Sequence, residues 1–163
     1  MIRVEQTVFF DAGKLDERGR PQRGNCLACC VASIFEVPLE RVDLPYGASW
    51  FDVDGWIRSR YPGVAALSYY LAGDADLFIA REDLIAPTPG YWIGVVESPR
   101  VIEDNGTRGT HAVVMHGIDV AWDPHPDRAS GFGGFVSGIF FVLLNPARTF
   151  VPDPASTPGG RPE

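Results

Sequence analysis

From Cys26 to Val37 the chain reads Cys-Leu-Ala-Cys-Cys-Val-Ala-Ser-Ile-Phe-Glu-Val, with Glu36 the only charged residue, and Pro38 follows. Small and straight-chain apolar residues at this density favour a helix, and proline ends it. A helix without a polar face is stable only when other elements cover it on all sides. The rest of the chain must therefore be wrapped around this segment. Gly24 and Asn25 lead into it, and asparagine at an N-cap can accept a bond from a free N–H of the first turn. The first side chain past that cap is Cys26. The positive end of the helix macrodipole favours the anionic form of a thiol in this position. Free cysteine is also a common small core residue, and that plain reading stands beside the reactive one for Cys26. Cys29 and Cys30 lie inside the helix, away from the dipole end, and take the core reading.

The flanking segments fall into order around this helix. Arg3–Phe10 is rich in β-formers and reads as a short strand or extended arm carrying Gln6. Asp11–Arg23 is charged and contains glycine, hence a surface loop. Leu39–Val42 reads as a short helical turn, and Ser49–Arg60 as an amphipathic helix. Val64–Leu71 is strand-like, Ala75–Ile85 is expected to be a helix, and Pro87-Thr88-Pro89-Gly90 is a turn before the strand Tyr91–Val96. Glu97–Thr110 is polar, with a turn at Asn105-Gly106. His111–Met115 and Val120–Asp123 are strands joined at His116–Asp119, and Ser137–Leu144 is a last buried strand. Helices in the first half and antiparallel strands in the second predict an α+β fold. With 163 residues the chain is expected to form one domain over 1–150, followed by a Pro- and Gly-rich disordered tail over 151–163.

Charge and cysteine usage narrow the function classes. The net charge is −7 and Lys14 is the only lysine, which speaks against a phosphate-tracking nucleic-acid surface and for a protein or peptide substrate. No apolar run approaches the ~20 residues of a membrane helix, and the first residues show no signal-peptide pattern. All 3 cysteines lie within Cys26–Cys30, so they cannot staple distant segments as a secreted disulfide framework does. A cytoplasmic location with reduced thiols is expected.

A reactive Cys26 needs a base, an orienting acid and an oxyanion site. His111 opens an apolar strand, and the returning strand ends at Asp123-Pro124. A three-residue loop at His116–Ile118 would set Asp123 directly opposite His111, with Cβ atoms ~5 Å apart. A slip of one residue would put the two on opposite faces. His116 points to the other face from His111 and is structural, and His125 is expected to border the site. The Cys26 backbone N–H is one oxyanion donor; a side-chain amide from Gln6 or Gln22 is the other, and Gln6, on the structured arm, is preferred.

The order Gln6, Gly24-Asn25-Cys26-x-x-Cys29, His111-Ala-Val-Val-Met and Asp123-Pro124 resembles the papain-like cysteine peptidase superfamily. It is most similar to small bacterial members, including the leader peptidase domains of bacteriocin exporters, and to small bacterial and phage proteins of uncharacterised activity. The resemblance covers Gln6 to about Pro124. It implies a papain-like fold with a buried central helix on an antiparallel sheet, and no cofactor. It further implies Cys26 as nucleophile, His111 as general base, Asp123 as orienting carboxylate and Gln6 as oxyanion donor. The chain departs from the pattern in the length of Asp11–Arg23, and in carrying Asn25 where leader peptidases usually show aspartate. Their substrate is therefore not carried over. Two alternatives stand beside the hydrolase. One is an inactive papain-like module that binds a partner. The other is a zinc-binding protein using Cys26 and Cys29 with His111, His116 and His125.

Overall fold

The computed structural model describes residues 1–16, 19–70, 90–102, 106, 108–128, 131 and 133–143. The elements run, in order, β1 (Asp11–Leu15), β2 (Pro21–Gln22), α1 (Cys26–Phe35), a short 3-10 turn (Leu39–Arg41), α2 (Trp50–Arg60), β3 (Val64–Tyr70), β4 (Tyr91–Ile102), β5 (Arg108–His116), β6 (Asp119–Trp122) and β7 (Phe135–Leu143). The fold is α+β: the described residues form two helices and a five-stranded antiparallel sheet in the order β3-β7-β4-β5-β6.

The apolar segment forms α1 and is buried from Ala28 to Ser33. It ends two residues before the expected limit. Glu36 takes a left-handed conformation (φ 54°), and Val37 N–H closes back on Ala32 O at 3.1 Å. This satisfies a carbonyl that the helix end would otherwise orphan. α1 lies on β5 and β4. Its side chains Cys30, Val31 and Ala32 pack there into one core with Ile93, Ala112, Val114 and Ile139.

α2 begins at Ser49, where Asp52 accepts both the backbone N–H and the hydroxyl of Ser49 at 2.7 Å. Its inner face is Val53, Trp56 and Ile57, all buried, and burial of such side chains stabilises by ~1.5–3 kcal/mol each. Asp54 joins the helix to the sheet, accepting Ala66 N–H at 2.9 Å as well as the Arg58 guanidinium. Phe51 is exposed and stacks on Trp50. A second core on the other face of the sheet gathers Trp92, Val96, Val113 and Met115.

Of the two readings of Arg3–Phe10, a short strand or an extended arm, the structure shows the arm, without strand pairing. Its backbone bonds go to partners distant in sequence: Val4 N–H to Ser33 Oγ, Gln6 N–H to Pro124 O, and Thr7 and Val8 N–H to Asn25 Oδ1. Asp11–Arg23 is not a plain loop but contains the ribbon β1–β2, with all of β1 exposed. The expected helix 75–85, most of the turn at 87–90, and the tail 151–163 lie outside the described residues. Among the described residues no helix is long and apolar enough to cross a membrane.

Candidate active site

Cys26 is the first residue of α1 and stands half-buried in the lining of a cavity of about 370 Å³. The expected cap does not form. Asn25 makes no side-chain cap bond to the helix and turns its amide outward to the arm. Its Oδ1 accepts Thr7 N–H at 3.3 Å and Val8 N–H at 3.1 Å, and its Nδ2 donates to Thr7 Oγ1 at 3.1 Å. Asn25 N–H donates in turn to Val8 O at 3.1 Å. The residue before Cys26 thus fastens the arm carrying Gln6 to the start of the helix.

His111 and Asp123 are both buried, and His111 Nε2 lies 2.7 Å from Asp123 Oδ1. The hairpin reaches this contact by another register than the one expected. Its loop is the two residues Gly117-Ile118, since His116 pairs with Asp119. A regular ladder from that turn would set Asp123 opposite Ala112, on the wrong face. A bulge intervenes: Met115 pairs with Val120 but Val114 with Trp122, so Ala121 is the extra residue. The shift gives Asp123 the parity of His111, one diagonal step away. His125 N–H also donates to Asp123 Oδ1, at 2.8 Å, holding the carboxylate from the other side.

Asp123 occupies Nε2, which leaves Nδ1 as the ring nitrogen available to Cys26; the imidazole and the thiol line the same cavity. The ring is used in the reverse sense from the Ser-His-Asp template, where the carboxylate takes Nδ1. Burial pushes the Cys26 thiol up. The hydrogen bond and charge of His111, with the backbone N–H groups of Ala112 and Leu27, outweigh burial and bring it below the ordinary thiol value. Burial likewise pushes the His111 ring down. Its bonds to Asp123 and Cys26, and the charges of both, outweigh that and hold it up at about 9. Both shifts favour a thiolate–imidazolium pair. Burial drives the two neighbouring thiols the other way, with the charge of Cys26 adding to it: Cys29 up to about 12, and Cys30 well above its ordinary value.

Gln6 is buried and shares the cavity lining with Cys26, whereas Gln22 donates to Phe9 O at 3.2 Å and is not among the described residues that line the cavity. The ribbon β1–β2 absorbs the extra length between Gln6 and Cys26. Gln6 Nε2 donates to Val8 O at 2.7 Å, and its Oε1 has no partner among the described residues. The seat of this amide depends on Gly24, where a Cβ would stand 2.4 Å from Gln6 Nε2 and 3.0 Å from Val8 O.

The loop after Asp123 is tied to the arm. Arg128 donates to Asp123 O at 3.0 Å and to Glu5 Oε1 at 2.8 Å. The guanidinium lies 4.0 Å from the Trp122 ring centroid, and Trp122 Nε1 donates to Val4 O at 3.1 Å. His125 borders the cavity as expected, with its ring 5.2 Å from Phe9 and 6.1 Å from His111. His116 is exposed beside Tyr91 at the far end of β5. Among the described residues no group of three or more His, Cys, Asp or Glu side chains stands close enough to hold a metal ion.

Sequence reasoning missed several lining residues, among them Phe9, Phe10, Ser98 and Thr110. The adjacent aromatics Phe9-Phe10, directly after the arm of Gln6, were the available signal. Comparison of the chain with protein-family models, curated proteins and solved structures gives no match.

Proposed function

We propose that this chain is a papain-like cysteine hydrolase that cleaves an amide, peptide or isopeptide bond through an acyl-enzyme. The observation that carries the reading is the buried His111 ring, 2.7 Å from Asp123 Oδ1 and sharing the lining of one cavity with Cys26. A helix headed by the thiol and packed on an antiparallel sheet that carries the histidine supports the papain-like part of the reading.

In this mechanism the Cys26 thiolate attacks the substrate carbonyl carbon, and the C=O electron pair moves onto oxygen. The Cys26 backbone N–H has no intrahelical partner at the first helical position and is one donor for that oxyanion. The second Nε2 hydrogen of Gln6, beyond the one given to Val8 O, is the other. The C–N bond then breaks as His111 gives its Nδ1 proton to the departing amine, leaving a thioester on Cys26. Water attacks the thioester while His111 takes its proton. The C–S bond breaks, the acid leaves, and the thiolate is restored. Asp123 fixes the ring and stabilises its charged form throughout.

Intact-mass spectrometry during turnover of p-nitrophenyl esters and peptide thioesters tests this. A transient acyl adduct on Cys26, lost in Cys26→Ala, is expected. No adduct, or adducts shared among the three cysteines, would contradict it.

A further inference from the structure

The cavity at Cys26 carries information about the substrate, on the hydrolase reading just given. Its volume, about 370 Å³, lies at the small end of ligand sites, enough for one compact group. Among the described residues none that lines it is Asp, Glu, Lys or Arg, although the chain carries 21 acidic and 14 basic residues. Beyond the reacting Cys26–His111 pair, whose charges are already matched to each other, a charged substrate group placed there would lose its hydration with no opposite charge among the described wall residues, which is costly. Phe9, Phe10 and Pro126 supply apolar surface, and Phe9 keeps 39% of its area exposed in its edge-on contact with His125. Apolar surface still in contact with water gains from being covered by a ligand. The acyl part of a substrate stays bonded to Cys26 through both half-reactions, so it is the part seated in a cavity that Cys26 lines.

We propose that the acyl group transferred to Cys26 bears an uncharged apolar side chain, aromatic or branched aliphatic, seated against Phe9. Glycine at that position leaves the Phe9 surface uncovered. Aspartate or lysine brings an unpaired charge into it.

The test uses full-length protein and a set of benzyloxycarbonyl-aminoacyl acyloxymethyl ketones that differ only in the residue beside the warhead: Phe, Leu, Gly, Asp or Lys. Second-order rates of Cys26 modification are divided by the same protein's rate with iodoacetamide. The Phe and Leu probes are expected to exceed Gly, Asp and Lys by roughly 10–100-fold, the scale of one buried apolar group. In Phe9→Asp that ratio shrinks and the Lys probe gains on the others. A flat series, or one led by Asp or Lys in the unaltered protein, overturns the proposal. A weak thiol lowers every rate together and leaves the ratios readable. Failure of the hydrolase reading therefore shows in the common iodoacetamide rate, and failure of this proposal in the ratios.

Discussion

Asp123 touches His111 because of a bulge. The two-residue turn Gly117-Ile118 alone would direct Asp123 to the wrong face, and the extra residue Ala121 restores the parity that brings Asp123 Oδ1 to 2.7 Å from His111 Nε2. Replacing Asp123 by Asn keeps the side-chain size and removes the charge. Hydrogen bonding and charge from Asp123 hold the His111 ring up at about 9, so Asp123→Asn is expected to move the alkaline limb of activity below that value. Activity should also fall by about 10²–10⁴-fold, the range that positioned acid–base catalysis supplies. A pH–rate profile of kcat reads both effects. An unmoved alkaline limb would dissociate Asp123 from the chemistry.

Gln6 and Gly24 act as one unit in this account. Gln6→Ala is expected to lower kcat by ~10²–10³-fold, as loss of one oxyanion donor does. Gly24→Ala is expected to lower it in the same direction, because the new Cβ would lie 2.4 Å from Gln6 Nε2 and must displace it. Iodoacetamide modification of Cys26 does not use an oxyanion donor and should persist in both. A kcat loss matched by an equal loss of alkylation would instead point to damage at the thiol.

Asn25 holds the arm rather than capping the helix. Asn25→Ala removes the acceptor of Thr7 and Val8 N–H and the donor to Thr7 Oγ1, and is expected to destabilise by roughly 1–3 kcal/mol. Asn25→Asp keeps the acceptor but adds a negative charge beside Cys26, so it should retain more stability and raise the Cys26 pKa. Urea denaturation and the pH profile of alkylation separate the two effects. Equal stability of the Ala and Asp variants would remove the fastening role.

The pH dependence of stability follows from the directions of four shifts. Cys26 is depressed, so its share is present above the unfolded thiol value of ~8.5 and is lost as pH falls through the folded value. His111 is raised to about 9, so its share is present below ~6.5 and is lost as pH rises through about 9. Cys29, raised to about 12, and Cys30, raised well above its ordinary value, lose their shares as pH climbs from ~8.5. Each buried thiol then removes up to about 1.4 kcal/mol per pH unit. Denaturation midpoints from pH 7 to ~11 should fall on the alkaline side, and Cys30→Ala should remove about half of the slope these two thiols supply. A flat alkaline profile would show that the thiols ionise without cost.

Much of this was legible because the decisive signals were local. An apolar run with no charged residue before Glu36 could only be a buried helix, and Gly24-Asn25 marked its start at Cys26. His111 on a strand and Asp123 at the end of its return could be named as partners, but not their register, since a slip of one residue reverses the face. What was not legible depends on tertiary partners. Asn25 has a cap-like identity, yet the backbone N–H groups of Thr7 and Val8 compete for its oxygen and win. The arm gains no strand partner, because its bonds go to Ser33, Asn25 and Pro124 from distant parts of the chain. The bulge at Ala121 leaves no mark in the sequence, since a register shift of one residue changes no residue type. Phe9 and Phe10 are adjacent aromatics at the end of the arm Arg3–Phe10, but only the fold shows that this end of the arm lines the cavity.

The pH dependence of Cys26 alkylation, resolved by mass spectrometry in the unaltered protein and in His111→Ala, tests the central claim most directly. Cys26 is expected to titrate below the ordinary thiol value and ahead of Cys29 and Cys30, and His111→Ala to return it toward ~8.5. Titration of Cys26 near ~8.5 in the unaltered protein, or a low value that survives His111→Ala, would contradict the thiolate–imidazolium pair on which the proposed chemistry rests.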